Sequence, residues 1–327
     1  MSAGSLPYHL RPNKAVERLL FVDLLERLDE AIHFEQKHYE YIGLGGPQME
    51  DFRVLNECFQ DVQMISLERD PQVLKRQKFN LPHTNVKLLP QSSEEFIMHF
   101  EPQAKLIAWL DYAEEDERVE QIAEFQTLLR NIPELSIVKL TLNANPENLG
   151  GTPKVGLMAE RRAKLLDQFG RFLPANLPED AVSESKFPRT LLQIVAASSR
   201  EALSGRHDWI FQSLSAFYYR DGQQMFTATG IAGPKTAVEA VVKEARVKRW
   251  HFQNLDWSPP MNISVPELTA KERIHINQLL PKCRDDLAAI HRKLGFQLDP
   301  KLSKSKAKLR QYVTFYRHYP HFGRVAF

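Results

Sequence analysis

Small and polar residues follow two successive apolar segments of this sequence in a pattern that suits a nucleotide-like ligand. The first segment ends in the glycine turn Gly43-Leu44-Gly45-Gly46-Pro47. Small residues there let the backbone approach a ligand, and a following helix offers free N–H groups. Glu68 follows the second segment, 25 positions after Gly43, where a carboxylate is placed to accept hydrogen bonds from a ribose diol. The alternatives are a purely structural turn and a solvated charge.

Two further pairs of polar residues follow the next two apolar segments. Gln91 and Ser92 come after the third segment, and their amide and hydroxyl groups can hydrogen-bond to the edge of an adenine ring. A helix cap explains the serine equally well. Asp111 and Tyr112 come after the fourth segment. A carboxylate at this strand end can face a ligand or cap the next helix.

The segments that carry these residues alternate between strand and helix patterns. Five short apolar runs predict strands at residues 39–44, 62–67, 86–89, 106–110 and 135–142. Helical stretches between them imply crossover connections, hence a doubly wound α/β fold with a mostly parallel sheet whose ligands bind beyond the carboxyl ends of the strands. An Asp221-Gly222 turn between two β-rich runs predicts a hairpin. The fold expected is a seven-stranded sheet with an antiparallel last strand.

We expect the chain to have three parts. Residues 1–37 should form an N-terminal helical segment, because leucines recur at helical spacing within it. Residues 38–233 should form the Rossmann-like α/β domain, with a helical insertion at about 151–208. Residues 234–327 should form a small, helical, basic C-terminal region.

Composition and charge bound the function further. The chain has 327 residues, 43% of them hydrophobic, and 2 cysteines without metal-ligand spacing, which is typical of a soluble globular protein. No run reaches the roughly 18 apolar residues of a membrane span, and no apolar signal core is present near the first residue, so we expect a cytoplasmic protein without membrane contact.

Charge is unevenly distributed along the chain. Residues 235–327 contain 18 basic and 8 acidic side chains, whereas residues 1–234 contain 25 basic and 33 acidic ones. The last segment, 301–327, has seven Lys and Arg, no acid, and interleaved aromatic residues. Such a segment suits phosphates and stacked bases, so we expect contact with nucleic acid or a protein partner. Docking onto the acidic body of the same chain is the alternative.

Five stretches together resemble the class I S-adenosylmethionine-dependent methyltransferase superfamily. They are the glycine turn YIGLGG, ISLERD after the second strand, LPQSS after the third, LIAWLDY at the fourth, and the terminal hairpin. The resemblance covers about residues 38–232. Within the superfamily the sequence is similar to bacterial proteins described as O-methyltransferases, in which an LRPNK segment, a YxGxGG turn and a WLDY stretch recur.

The resemblance implies S-adenosylmethionine as cofactor and assigns roles to the residues above. The glycines of the turn, Gly43, Gly45 and Gly46, would lie beside the methionine part of the cofactor. Glu68 would hold its ribose. Gln91 and Ser92 would flank its adenine. Asp111 and Tyr112 would face the methyl group that is transferred, with Asp111 orienting or deprotonating the acceptor and Tyr112 packing against it.

The sequence departs from the superfamily at one motif position. An acid usually stands two residues before the first motif glycine, and alignment on Gly45 puts Gly43 there. The contact to the amino group of the cofactor is therefore missing or comes from elsewhere, with Glu40 and Asp51 as candidates.

Two missing motifs and one incomplete motif restrict the chemical class of the methyl acceptor. The segment after the fourth strand lacks the prolines of DNA amino-methylases and the Pro-Cys pair of cytosine C5 methylases, which favours an oxygen acceptor. Metal-assisted O-methyltransferases use a carboxylate after strand four and an Asp-Asn pair after strand five. Here Asp111 would be joined only by Asn143 and Asn145, so we expect no metal.

Two other functions fit parts of the sequence. A non-catalytic Rossmann-like module that binds a nucleotide or a partner through its basic tail is favoured by the missing motif acid. An NAD-dependent oxidoreductase is disfavoured, because Gln48 occupies the third glycine position of G-x-G-x-x-G and the final hairpin does not fit. The leading hypothesis is a methyltransferase that uses S-adenosylmethionine and an oxygen acceptor.

Overall fold

The computed structural model of the chain describes residues 11–101, 104–150, 156–283 and 285–319. The described residues form two compact units. The larger consists of those within Phe21–Tyr218 and Gln223–Met261. The smaller consists of those up to Leu20, Tyr219–Gly222, and those from Asn262 onward. No helix among the described residues is long and apolar enough to cross a membrane.

The strands form one sheet with the order β3-β2-β1-β4-β5-β7-β6-β8. Their bounds are β1 Tyr39–Gly43, β2 Gln63–Leu67, β3 Val86–Leu89, β4 Lys105–Asp111, β5 Ser136–Asn143, β6 Trp209–Asp221, β7 Gln223–Pro234 and β8 Met261–Ile263. Strands β1 to β5 pair in parallel, and β7 pairs with β5 in antiparallel orientation. The predicted doubly wound α/β class is confirmed, and the described sheet has one strand more than predicted, the three-residue β8.

Helices connect the strands and continue beyond them. Their bounds are α1 Pro12–Ile32, α2 Glu50–Cys58, α3 Pro71–Phe79, α4 Ser93–Met98, α5 Arg118–Asn131, α6 Leu157–Phe169, α7 Phe187–Leu203, α8 Lys235–Glu244, α9 Ala270–Cys283, α10 Leu287–Leu294 and α11 Leu302–Phe315. Helices α6 and α7 lie within the predicted insertion, of which residues 151–155 are outside the described ranges. Residues 320–327 of the basic tail are also outside them.

The hydrophobic core covers both faces of the central strands. All eight residues of β5 are buried, and so is β4 from Leu106 to Leu110. Phe125 of α5 and Phe187 of α7 are fully buried in the core cluster with these strands. Lys139 of β5 is also fully buried, and its Nζ lies 3.3 Å from the ring centroid of Trp109. This cation–π contact stabilises a charge that burial would otherwise disfavour.

Local sequence signals fix the starts of α3 and α4 beside the strand ends. Asp70 caps α3, and its side chain accepts a hydrogen bond from the backbone N of Gln72 at 2.7 Å, with Pro71 in the first turn. Ser92 and Glu95 form a capping box at α4. The Ser92 hydroxyl accepts from the Glu95 backbone N at 3.1 Å, and the Glu95 carboxylate accepts from the Ser92 backbone N at 3.0 Å.

The strand register places the glycine turn level with its neighbours. Gly43 lies opposite Ser66 of β2 and Trp109 of β4. A Cβ on Gly45 would lie 2.7 Å from the Ser66 Oγ and 2.7 Å from the Met49 Sδ. The turn therefore packs directly onto β2 and α2, and only glycine leaves room for that packing.

In the smaller unit, Asp221 caps the start of α1. Its carboxylate accepts hydrogen bonds from the Lys14 backbone N at 2.7 Å and the Asn13 Nδ2 at 2.8 Å. The Asn13 Oδ1 in turn accepts from the Val265 backbone N at 2.9 Å. Burial raises the pKa of Asp221, while the bonds to Lys14 and Asn13 oppose that rise.

The close packing of the glycine turn gives a stability prediction. Gly45→Ala forces a methyl group against Met49 and Ser66, so it should lower the free energy of unfolding by about 1–3 kcal/mol. Gly205→Ala is the matched control, because no atom lies within 4 Å of the Cβ it would add, and its effect should stay within about 0.5 kcal/mol. Urea denaturation of the two variants measures the difference. Equal stabilities would show that the turn adapts to a side chain.

Candidate functional site

A cavity of about 520 Å³ lies at the carboxyl ends of strands β2, β3 and β4. This volume is within the range of about 300–1,000 Å³ typical of small-molecule sites. The loops that follow these strands form most of its wall, and the first turns of α5 complete it. Its lining residues are Leu44, Leu67, Glu68, Arg69, Gln91, Ser92, Ser93, Glu94, Asp111, Tyr112, Ala113, Glu114, Glu117, Glu120, Gln121 and Glu124.

The structure brings together five of the eight residues singled out in the sequence. Those that line the cavity are Glu68, Gln91, Ser92, Asp111 and Tyr112. The glycines Gly43, Gly45 and Gly46 are not among its lining residues, although Leu44 of the same turn is. The turn thus reaches the cavity through Leu44, while Gly45 serves the packing beneath it.

The position of the missing motif acid has a steric explanation. A Cβ on Gly43 would lie 2.6 Å from the Oη of Tyr41, a side chain that is only 2% exposed. An acidic side chain at this position would therefore displace a buried tyrosine. Neither Glu40 nor Asp51, the candidate replacements, is among the lining residues of the cavity.

Nearby backbone N–H groups orient the polar side chains at the ends of β2 and β3. The Glu68 carboxylate accepts a hydrogen bond from the Asp70 backbone N at 2.8 Å, which fixes its orientation at the half-buried end of β2. The Ser92 hydroxyl oxygen is used in the cap of α4, so its O–H is the group that can still donate. Gln91 is also half-buried, and its backbone N donates to the Leu89 carbonyl at 3.0 Å.

Tyr112 and Glu124 join the end of β4 to α5. The Tyr112 hydroxyl donates to Glu124 Oε2 at 2.5 Å, and Tyr112 is only 4% exposed. Burial, followed by the charge of Glu124, raises the pKa of Tyr112 well above its ordinary value. Burial likewise raises the pKa of Glu124, against the effect of its hydrogen bonds with Tyr112 and Ser93. Tyr112 therefore remains a neutral phenol that positions α5 and does not act as a base.

The side-chain amides of Asn143 and Asn145, at the end of β5, form hydrogen bonds within the protein and so serve the structure. The Asn143 Oδ1 accepts from the Asn145 backbone N at 2.9 Å and from the Asn148 Nδ2 at 3.2 Å. Arg118, at the start of α5, donates to the Asn143 carbonyl at 2.7 Å and to the Asn145 carbonyl at 3.1 Å. Burial lowers the pKa of Arg118 to about 10, which keeps it charged at neutral pH. Within the described chain, no group of three or more His, Cys, Asp or Glu residues could hold a metal ion.

Negative charge dominates the cavity wall. Seven carboxylate side chains line it, and among the lining residues, all of which the structure describes, Arg69 alone carries a positive charge. A cleft lined by one sign of charge concentrates ligands of the opposite sign. The cavity is therefore suited to a ligand that carries a positive charge. The carboxylates belong to Glu68, Glu94, Asp111, Glu114, Glu117, Glu120 and Glu124.

Sequence reasoning missed the contribution of α5. Glu117, Glu120, Gln121 and Glu124 follow one another at helical spacing, so they share one face at the start of the helix. That spacing of polar residues was the available signal. A solvated helix face has the same pattern, and only the packing of α5 against the end of β4 distinguishes the two.

In the described part of the basic tail the cations are exposed, and all of the aromatic side chains except the half-buried Tyr316 are buried. Lys304 and Lys308 of α11 are exposed. Tyr312 and Phe315 of the same helix are fully buried, and Tyr319 is 7% exposed. These three rings pack inside the smaller unit and are not presented for base stacking. The aromatic Phe322 lies outside the described residues.

These observations define a doubly wound α/β protein with an acidic ligand cavity at the carboxyl ends of its parallel strands, as the class of fold requires. The sequence matches the model of a family described as "Putative O-methyltransferase" over residues 6–327. The chain belongs to this family and is a methyltransferase, as the sequence resemblance implied. No curated protein matches the sequence.

Several solved structures are similar to parts of this chain at low identity. The plantazolicin methyltransferase BamL, solved with SAH, is 10% identical, with 64% of this chain and 83% of that chain covered and a TM-score of 0.38. The N-methyltransferase NodS from Bradyrhizobium japonicum WM9 is 7% identical, with 67% and 97% covered and a TM-score of 0.37. Trm1 from Pyrococcus horikoshii, solved with S-adenosyl-L-methionine, is 12% identical, with 71% and 58% covered and a TM-score of 0.42.

The hydrogen bond between Tyr112 and Glu124 should be measurable as a coupling between the effects of the two substitutions on stability. Tyr112→Phe removes the donor and should lower the free energy of unfolding by about 1–2 kcal/mol, since Glu124 loses a partner in a partly buried site. In the double variant with Glu124→Gln, the loss of unfolding free energy should be smaller than the sum of the losses in the two single variants by at least about 0.5 kcal/mol. Tyr218→Phe on β6, outside the cavity, controls for removal of a hydroxyl. Additive losses would show that the two side chains act independently.

The raised pKa of Glu124 gives a pH prediction. The folded state binds the carboxyl proton more tightly than the unfolded chain does. The resulting stabilisation is full below the ordinary glutamate pKa of about 4.3 and is lost as the pH rises through the higher folded value. Glu124→Gln does not titrate, so its free energy of unfolding relative to the wild type should increase between about pH 4 and about pH 7. Denaturation at several pH values tests this, and a constant difference contradicts it.

Proposed function

We propose that this methyltransferase binds S-adenosylmethionine in the acidic cavity and transfers its methyl group to an oxygen acceptor. The observation that carries the proposal is the convergence of Glu68, Gln91, Ser92 and Asp111 on one cavity at the strand ends. These residues come from three different strands, and the parallel sheet is what gathers them. The family description supports methyl transfer to oxygen.

The side chains present suit the parts of this cofactor. Glu68 uses one hydrogen bond to the Asp70 backbone, and a carboxylate can accept several more, so it can hold the two ribose hydroxyls. Gln91 and the Ser92 O–H can reach the adenine edge from the end of β3. The glycine turn, with Gly43, Gly45 and Gly46, would lie beside the methionine part, with Leu44 in contact.

The charge of the cavity also suits this cofactor. S-adenosylmethionine carries a positive sulfonium and an ammonium against one carboxylate. Seven carboxylates line the cavity and one arginine opposes them. Because the wall is negatively charged, it favours the positive sulfonium over the neutral thioether of the product. This supports release of the product after transfer.

Asp111 is the residue that we assign to the acceptor. It is the last residue of β4, half-buried, and lines the cavity, whereas the five residues before it are buried. The cofactor supplies a methyl group activated by a positive sulfur. Asp111 would orient the acceptor hydroxyl and accept its proton, and Tyr112, held by Glu124, would pack against the acceptor.

The cofactor assignment is tested by calorimetric titration with S-adenosylmethionine, S-adenosylhomocysteine and NAD. The wild type should bind the first two. Glu68→Gln keeps an acceptor for the Asp70 backbone but removes the charge, so affinity should fall at least about tenfold, or about 1.4 kcal/mol. Glu244→Gln, on the exposed surface of α8, is the matched control. Failure of the wild type to bind either ligand would refute the proposed function.

The role of Asp111 is tested by turnover. With a panel of hydroxyl-bearing acceptors and mass spectrometry for methylated product, Asp111→Asn should slow transfer by about 10²-fold or more. Its affinity for S-adenosylhomocysteine should stay near that of the wild type, because the side chain acts on the acceptor. A variant with full turnover would remove Asp111 from the reaction.

Contact of residues 301–327 with nucleic acid or a protein remains a separate proposal. The exposed cations of α11 support it, including Lys304 and Lys308. The burial of Tyr312 and Phe315 removes these two rings from such a contact. A cytoplasmic location and a bacterial origin stay predictions from the sequence.

A further inference from the structure

The outer face of α3 carries cations and an aromatic ring to which no other described residue is paired. Gln72, Lys75, Arg76 and Phe79 follow one another at the spacing of a single helical stripe. Together with Asn80 they line an open cavity of about 470 Å³, and we call these five residues the α3 surface. None of them lines the cavity at the strand ends, so the two sites are separate.

The charge of α3 is positive and is not neutralised within the described part of the chain. The helix contains Lys75, Arg76 and Lys78 and no acidic residue. All three side chains are exposed, and none forms an ion pair or a hydrogen bond with a described residue. Cations in a last helical turn also suit the helix dipole. Such an unpaired group of cations attracts anions, whereas the acidic cavity at the strand ends repels them.

Phe79 places a flat apolar ring among these cations. Its side chain is 90% exposed, the largest value among the exposed large hydrophobic residues of the described chain. It follows Lys75 by four residues and Arg76 by three, so the three side chains share one face of the helix. The helix dipole does not account for an exposed ring at this position. A ring flanked by cations is how many proteins bind single-stranded nucleic acid, because a base stacks on the ring while the cations contact phosphates.

Contacts elsewhere on α3 hold this surface in place. The buried Gln77 accepts a hydrogen bond from the Ser66 Oγ of β2 at 3.3 Å. At the end of the helix, the Asn80 Nδ2 donates to the Pro47 carbonyl of the glycine turn at 2.7 Å. Asp70 caps the other end. Since the helix is fixed at both ends and on its inner side, a ligand that binds its outer side loses little entropy in ordering it.

We propose that the α3 surface binds a single-stranded nucleic acid, with one base stacked on Phe79 and phosphates beside the three cations of the helix. A duplex keeps its bases stacked on each other, so a lone ring on a helix reaches only unpaired bases. An acidic polypeptide matches the charge but offers no row of planar rings, and an anionic lipid surface gains little buried apolar area from one phenylalanine. The inference goes beyond the proposed function and does not rest on it.

The first measurement is fluorescence anisotropy of a labelled 16-residue oligouridylate with the full chain, over a series of salt concentrations. Phe79→Ala should weaken binding about fivefold or more, because a stacked base is lost, and should leave the salt dependence unchanged. Phe79→Tyr keeps the ring and should bind like the wild type. Arg76→Gln removes one phosphate contact, so the slope of log K against log salt should become less steep by about 0.7.

Two matched controls come from other helices. Met98 of α4 is an apolar side chain that is 65% exposed, and Lys243 is an exposed cation in the last turn of α8. Met98→Ala and Lys243→Gln should each leave the affinity within about twofold of the wild type.

Photocrosslinking locates the bound strand directly. An oligouridylate that carries 4-thiouridine is crosslinked to the full chain, which is then digested with trypsin and examined by mass spectrometry. Cleavage after Lys78 yields a peptide that begins at Phe79 and ends at Lys87. This peptide should carry the crosslinked nucleotide in the wild type, and the crosslink should weaken in Phe79→Ala.

Several outcomes would overturn the inference. They are no binding of the oligonucleotide by the wild type, an affinity of Phe79→Ala equal to that of the wild type, and crosslinks found only outside residues 71–87. Competition by polyglutamate of equal charge as strong as by unlabelled oligonucleotide would indicate an acidic polypeptide instead. Binding to phosphatidylserine vesicles that depends on Phe79, without binding of the oligonucleotide, would indicate a lipid surface. Titration with S-adenosylhomocysteine tests the proposed function separately from all of these.

Discussion

The burial of the central strands is the constraint on which this structure depends. All eight residues of β5 are buried, and β4 is buried until Asp111. Helices cover both faces of these strands, and neighbouring strands satisfy their backbone groups. A ligand can therefore reach the sheet only where the strands end. Polar side chains are tolerated there because the chain leaves the core, and this is where the cavity lies.

Helix α5 forms part of the cavity wall at that edge of the sheet. Arg118 hydrogen-bonds the start of α5 to the backbone at the end of β5, and Glu124 hydrogen-bonds its second turn to Tyr112 at the end of β4. Gln121 lies midway between these two anchors, three residues from each. Because both anchors are buried or partly buried hydrogen bonds to a charged group, moving α5 would leave charges without partners. The helix is thus held rigidly at the wall of the cavity.

The negative charge of the cavity bears on the acid that the glycine turn lacks. The superfamily acid is absent at Gly43, since the space beside it is filled by Tyr41. The cavity nevertheless has an excess of negative charge, supplied by the ends of β2 and β4 and by α5. A positively charged ligand can be held by this distributed charge without the single motif carboxylate. The turn then serves chiefly to bring Leu44 and α2 close to β2.

The sequence by itself determined the alternation of strands and helices, and with it the sheet class and the positions of Glu68, Gln91, Ser92 and Asp111 at strand ends. These features follow from local hydrophobic periodicity and from caps such as the Ser92–Glu95 box, which involve residues close in the chain. Only the tertiary structure decided that Gly45 serves packing, that Tyr112 is bound to Glu124, and that Gln121 reaches the cavity. Each of these depends on contacts between separate elements, and a polar helix face has the same sequence pattern whether it meets water or a ligand.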